Sequence, residues 1–278
     1  MGLIARWRAW RERRLIERHP IPDALWAQTL ARYPFLPDSP RLRAISSLFL
    51  ARKEFHGAGG LVLTDAMAVA VAAQACLPVL ELGLALYDAT TTIVLHPAEV
   101  EAPRRDHDEG GLVHEWSEEL AGEAMEGGPL MLAWSAVDAA ASQSEDAPVF
   151  NVVIHEFVHL IDMANGEADG LPPLPSAAEG KRWIETLTLA WDRLADRVAH
   201  REPSCIDPYG SAELDEFFAV ASEAFFVQPA RLAAEDPQLF SLLAGYFRPG
   251  QTLDLPPSLA RDPGGLRTQR VAKPAIPS

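Results

Sequence analysis

An α+β fold, mostly helical, is the expectation for this 278-residue chain, and three features set it. Helix-start residues followed by apolar periodicity fill both ends of the sequence. The β-branched run "TTTIVLHP" at 90–97 reads as a strand that stops at Pro97. A second apolar run, "PLMLAWSAV" at 129–137, reads as another strand. Together they place a small sheet just ahead of a very apolar helix, "NVVIHEFVHLIDMANG" at 151–166.

Taken in order, the first helical signal covers 3–18. Arg6, Arg8, Arg11, Arg13, Arg14 and Arg18 surround Ile4, Trp7 and Trp10 there. A basic amphipathic segment of this kind is either a helix packed on the surface or one that touches a membrane or a partner. Residues 1–20 are therefore set apart from a main body at 21–250. Within that body, "PDALW" opens a helix over 22–33, and Ser39 with Pro40 opens another over 39–55. "HGAGG" breaks the chain, and Thr64 is placed to cap the helix that begins the apolar region 66–87. Residues 98–128, acidic and punctuated by glycine, read as a linker. Helices are expected near 176–200, 211–228 and 236–247, and the Pro/Gly-punctuated residues 251–278 as a loose tail.

Charge and composition exclude several classes. A formal net charge of −15 argues against nucleic acid as a partner, because phosphate binding needs a basic face. No apolar run reaches the eighteen residues that a membrane span requires. The N-terminus lacks the apolar core of a secretory signal, so the cytoplasm is the expected compartment. Cys76 and Cys205 are too few for a disulfide framework or a cysteine-rich zinc site and read as packing residues. His107 and His114, in an acidic stretch, read as solvated loop histidines rather than a second metal site.

The chemistry concentrates in "HEFVH" at 155–159. On a helix, residues four apart lie on one face, so His155 and His159 can present two imidazoles to one cation, with Glu156 beside them to reach an activated water. Two core histidines bonded to carbonyls would give the same pattern, and a third ligand separates the two readings. A catalytic zinc takes three protein ligands and keeps one position open. Asp162, one turn on, is short and better suited to orienting a ligand or tying down the next loop. Glu213, Glu216 and Glu223 fall roughly on one stripe of the later helix "YGSAELDEFFAVASEAFF" at 209–226. Glu216, pinned beside Phe217 and Phe218, needs a positive partner, and a metal ion supplies it most economically.

"HEFVH" followed by "YGSAELDEFFA" resembles the catalytic core of the anthrax lethal factor type of zinc peptidase. More of the chain is similar to the Mlc titration factor A family of bacterial zinc peptidases. That resemblance rests on "PVLELGLALYDATTTIVLHPAEV", "GGPLMLAWSAV", "NVVIHEFVHLIDMANGEADGLPPLP" and "DPYGSAELDEFFAVASEAFF". It implies a zincin-like metallopeptidase fold with a small β-sheet beside the His-containing helix. It also implies zinc on His155, His159 and Glu216, Glu156 as general base and Tyr209 as a transition-state helper. The expected activity is that of a zinc-dependent, aminopeptidase-like enzyme acting on peptides. Binding of the Mlc transcription repressor, which would relieve repression of sugar-uptake genes, is the further role implied. The rival reading is a repressor-binding protein in which zinc is only structural. An extended peptide is expected to add to the strand at 90–97.

Overall fold

The structure, a computed structural model, describes residues 3–107, 113–124, 128–144 and 146–249; the tail expected at 251–278 lies outside them. Helices α1 (Leu3–Arg18), α2 (Asp23–Arg32) and α3 (Pro40–Arg52) come first. The C-terminal half of α1 rests on the body through Leu15, Ile16 and an ion pair from Glu12 to Arg52 at 2.8 Å. Ser39 caps α3 by accepting the Leu42 N–H, with Pro40 in the first turn. The helix ends three residues earlier than expected. Lys53 turns extended, with its ammonium on the carbonyls of Tyr87 and Thr90, and Glu54–Gly57 becomes strand β1.

Thr64 caps α4 (Asp65–Ala75) as expected, accepting from Met67 N–H. After a short 3₁₀ turn at Leu84–Tyr87 comes β2 (Thr92–His96). Residues 98–128 are not a bare linker. They form β3 (Val100–His107), β4 (Val113–Leu120) and the short β5 (Gly122–Ala124). β3 and β4 pair antiparallel as a separate two-stranded sheet, and His107 and His114 sit on these strands rather than in a loop. The run at 129–137 also divides: only Leu130–Ala133 is strand (β6), and Trp134–Ala139 winds into α5. Ala136 and Ala139 favour helix, and the sheet supplies no partner past Ala133.

The main sheet has the order β1-β2-β6-β5. β1, β2 and β6 are parallel, whereas β5 runs antiparallel to β6. Ile93, Leu95, Leu130 and Leu132 are buried, as strands covered by helices require. β2 is internal, hydrogen-bonded on both sides. It has no free edge, which overturns the expectation that a peptide would add to it.

Helix α6 (Val152–Asp162) crosses this core, followed by α7 (Ala177–His200), α8 (Leu214–Val227), α9 (Pro229–Glu235) and α10 (Pro237–Phe247). Phe157 of α6 meets Tyr87 at 4.8 Å and Phe49 at 5.6 Å between ring centroids, edge to face, so the helix is clamped by aromatic packing. α8 begins later than expected, because Pro208–Ser211 forms its own 3₁₀ turn. The fold is thus α+β and mostly helical, with a small sheet beside α6. No helix among the described residues is long and apolar enough to cross a membrane.

Candidate metal centre

Local sequence rules place the first two donors. Asn151 caps α6, its side-chain oxygen accepting the Ile154 N–H at 2.9 Å. The apolar residues Val152, Val153, Ile154, Phe157, Val158, Leu160 and Ile161 bury all but one stripe of the helix. His155 and His159 occupy that stripe, with their Nε2 atoms 3.1 Å apart. Glu216, in the first turn of α8, faces both. Its Oε2 lies 3.1 Å from His155 Nε2 and 3.5 Å from His159 Nε2.

These three donors lie within 4.8 Å of one another and are the group among the described residues able to hold a metal ion. Glu216 Oε2 is buried and has no hydrogen-bond partner, the kind of orphan atom that a cation satisfies. Donors about 2.0–2.1 Å from a tetrahedral ion stand roughly 3.3 Å apart, close to the separations found here. Two imidazoles and one carboxylate suit zinc or a neighbouring transition ion better than calcium or magnesium. The residues fit the group.

Glu223, two turns after Glu216, completes the support. Its Oε1 meets His155 Nδ1 at 2.7 Å, and its Oε2 accepts the backbone N–H of Asn151. Asn151 in turn donates its side-chain amide to Gln74 Oε1 at 2.8 Å, and Gln74 is anchored on Ala70 O. A carboxylate on Nδ1 keeps the proton there and leaves the Nε2 lone pair for a metal. The sequence stripe that held Glu216 and Glu223 thus divides its labour. Glu213 stands apart as the backbone N-cap of α8.

The electrostatics reflect this crowding. Burial presses the His155 pKa down, but the carboxylates of Glu216 and Glu223 outweigh it and hold the imidazole well above its usual value. Burial pushes Glu216 up, yet the two facing imidazoles hold it well below the usual carboxylate range. Glu223, fully buried, is raised, and its bonds to His155 and Asn151 only partly offset the loss of water. Asp162 joins no donor group. Its Oδ2 accepts the Gly170 N–H at 2.8 Å, and Trp183 donates to the Gly170 carbonyl, so Asp162 ties down the loop after α6. Its burial pushes the carboxyl up to about 6.

A cleft of about 290 Å³ opens beside the donors, lined by His155, Glu156, Asp207, Tyr209, Phe150 and Gly122 among others. Glu156 is 6% exposed and lies under β5 so closely that a Cβ on Gly122 would stand 2.6 Å from its Oε1. The Tyr209 ring, half exposed, sits 6.3 Å from that of His155. Asp207 Oδ1 accepts the Tyr209 N–H, and the missing Cβ of Gly210 lets that turn press on Val220 of α8. Two larger hollows, about 500 Å³ each, lie against Arg32–Asp138 and against Trp183–Tyr246. Neither gathers metal donors, so chemistry rather than size marks the functional cleft. All five residues expected from the sequence are therefore brought together. Glu223, a candidate ligand on the sequence stripe, instead supports His155, and the contributions of Asn151, Gln74 and Gly122 were not foreseen. Asn151 was findable as an Asn just before an apolar run; Gly122 carries no such signal in a single sequence.

A helix with paired histidines, a facing glutamate and a small mixed sheet define the class as a metallopeptidase. The profile of the glucose-regulated metallo-peptidase M90 family matches residues 7–248, and the chain belongs to that family. It is 34% identical over 232 residues to Mlc titration factor A of Serratia proteamaculans, covering 81% of this chain and 87% of that one. It is 32% identical over 241 residues to Mlc titration factor A of Salmonella arizonae, covering 83% and 94%. An uncharacterized protein of Synechocystis sp. is 34% identical over 259 residues, covering 89% and 93%.

Proposed function

We propose that this protein is a zinc-dependent peptidase of aminopeptidase-like preference, working in the cytoplasm. In this reading His155, His159 and Glu216 hold the zinc, Glu156 is the general base and Tyr209 a helper at the developing oxyanion. The observation that carries it is the convergence of three donors within 4.8 Å, beside a buried carboxylate that lines a cleft.

Bound zinc would supply Lewis acidity, making a water acidic near neutrality and polarising the scissile carbonyl. Glu156 takes a proton from the attacking water and returns it to the leaving amine; β5 shields its carboxylate from bulk solvent. Tyr209, held at the cleft by the Asp207 turn, donates its phenol to the oxyanion. Glu223 keeps His155 in the tautomer that leaves Nε2 free. Asp207 adds negative charge to the cleft of about 290 Å³, which favours the ammonium at a peptide's N-terminus. An extended substrate would align with β5, the terminal strand over Glu156, in place of the internal β2.

A second role rests on the names of two relatives, Mlc titration factor A. Capture of an Mlc-type repressor, relieving repression of sugar-uptake genes, is compatible with catalysis. A purely structural zinc would leave Glu156 without a task. The test is cleavage of a mixed peptide library, read by mass spectrometry, for zinc-loaded wild type and Glu156→Gln. Cuts that depend on Glu156 and remove N-terminal residues are expected. A folded, zinc-loaded wild type that makes no cuts overturns the peptidase reading in favour of repressor binding alone.

A further inference from the structure

One face of helix α1 is accounted for by neither the metal centre nor the core. Successive helical residues advance by about 100°, so positions 12, 15 and 16 share one side and positions 7, 10 and 14 the opposite side. The first side is used: Leu15 and Ile16 pack on the body and Glu12 pairs with Arg52. The second presents Trp7 and Trp10, 54% and 53% exposed. Each indole carries a guanidinium, with Arg11 Cζ 4.8 Å from the Trp7 ring and Arg14 Cζ 5.0 Å from the Trp10 ring. Two open tryptophans side by side on the outward face of a helix are an exposed apolar patch that no core residue among the described ones covers.

We propose that the outward face of α1 is a docking surface for an anionic lipid membrane. Tryptophan favours the polar–apolar boundary of a bilayer, and arginine can lay its stem along apolar surface while its head stays with the phosphates. The charge pattern selects the same occupant. α1 holds six arginines against Glu12 and Glu17, in a chain of net charge −15. The rest of the molecule is therefore repelled by the surface that attracts α1, which leaves this helix as the point of contact. Single-stranded nucleic acid would also use basic and aromatic groups, but it stacks bases on open rings. Here arginine occupies a face of both indoles.

The experiment is sedimentation of the full-length protein with vesicles of phosphatidylcholine and phosphatidylglycerol (7:3) and of phosphatidylcholine alone, at low and high salt. Binding to the mixed vesicles that falls steeply with salt, with none to the neutral ones, is expected. Removing one arginine near an anionic surface costs about fivefold in partitioning, so Arg11→Ala with Arg14→Ala should lose roughly 25-fold. Trp7→Ser with Trp10→Ser should abolish detectable binding. All four side chains are exposed, and both double variants should keep wild-type dichroism and peptide turnover. Equal binding to neutral vesicles, no binding by wild type, or retention unchanged in both variants overturns the proposal. So does a gel shift of single-stranded RNA at the same salt without vesicle binding, which would make nucleic acid the partner.

Discussion

Glu156 and Glu223 are both buried carboxylates beside His155, and their substitutions should separate two kinds of role. Glu156→Gln preserves shape and hydrogen bonding but removes the base, so metal content should stay at wild type while turnover falls by about 10²–10⁴-fold. A variant with unimpaired rate would sink the general-base role. Glu223→Gln keeps an acceptor for His155 Nδ1–H but removes the charge, and metal affinity should weaken by about 10–100-fold. Titration with a chromophoric chelator measures this; unchanged affinity would leave Glu223 as packing only. Glu216→Ala should weaken metal far more than Asp162→Asn, and the reverse order would mean that Asp162 is the third ligand. The histidines and Glu156 were legible because a four-residue helical spacing is local, and Glu216 because Phe217 and Phe218 fix a charged residue in a core. Glu223 was seen as one of three candidates on a stripe. Its task depends on which imidazole nitrogen faces it, and that is set by how α6 and α8 pack.

Among the elements, β5 is one of the strands the sequence hid, with β1, β3 and β4. The three residues of β5, two of them small, have no alternation to read, and they become a strand only by pairing with β6. β1 was hidden for a similar reason: Glu54–Gly57 is short and mostly exposed, and pairs across more than thirty residues with β2. The helices were legible because their caps are local, as Ser39, Thr64 and Asn151 show. Gly122→Ala tests the importance of β5. The added methyl would stand under 3 Å from Glu156 Cγ, Cδ and Oε1, so the base or the strand must shift. Turnover should fall at least tenfold with metal content intact, and normal kinetics would show that β5 yields freely. The loop held by Asp162 gives a pH-dependent prediction. Its folded pKa of about 6 lies above the ordinary carboxyl value of 3.8, so folding favours the protonated form. This contribution is fully present below about pH 4 and is lost as pH rises through 6, by about 3 kcal/mol at most. Asn keeps an acceptor for Gly170 without the charge. In urea unfolding of chelated protein, Asp162→Asn should therefore gain on wild type between pH 4 and 7. A difference that does not vary with pH would place the charge elsewhere.

Across the whole molecule, the metal centre and the core are one structure. Gln74 of α4 holds Asn151, Asn151 caps α6 and donates its backbone N–H to Glu223 of α8, and Glu223 holds a metal-facing imidazole. Three helices thus meet at two hydrogen-bonded side chains, Asn151 and Glu223, both buried. Such a network is stiff when every member is satisfied and costly when one is not. The donor triad has an atom that is not satisfied by the protein alone, Glu216 Oε2. Removing the metal leaves the Glu216 carboxylate facing the two imidazoles at 3.1 and 3.5 Å without the ion that would tie α8 to α6. A ligand at about 100 times its Kd contributes about 2.7 kcal/mol to the folded state. For a chain of this size each kcal/mol moves the melting temperature by about 2–4 °C. Chelation of the loaded protein should accordingly lower its melting temperature by about 5–10 °C, and added zinc should restore it. In Glu216→Ala the orphan oxygen is gone and the metal already weak, so chelation should move the melting temperature little. If wild type melts at one temperature with and without chelator while its metal is demonstrably removed, the triad is decoupled from the α4–α6–α8 network. The helices would then hold the imidazoles in place without help from the ion.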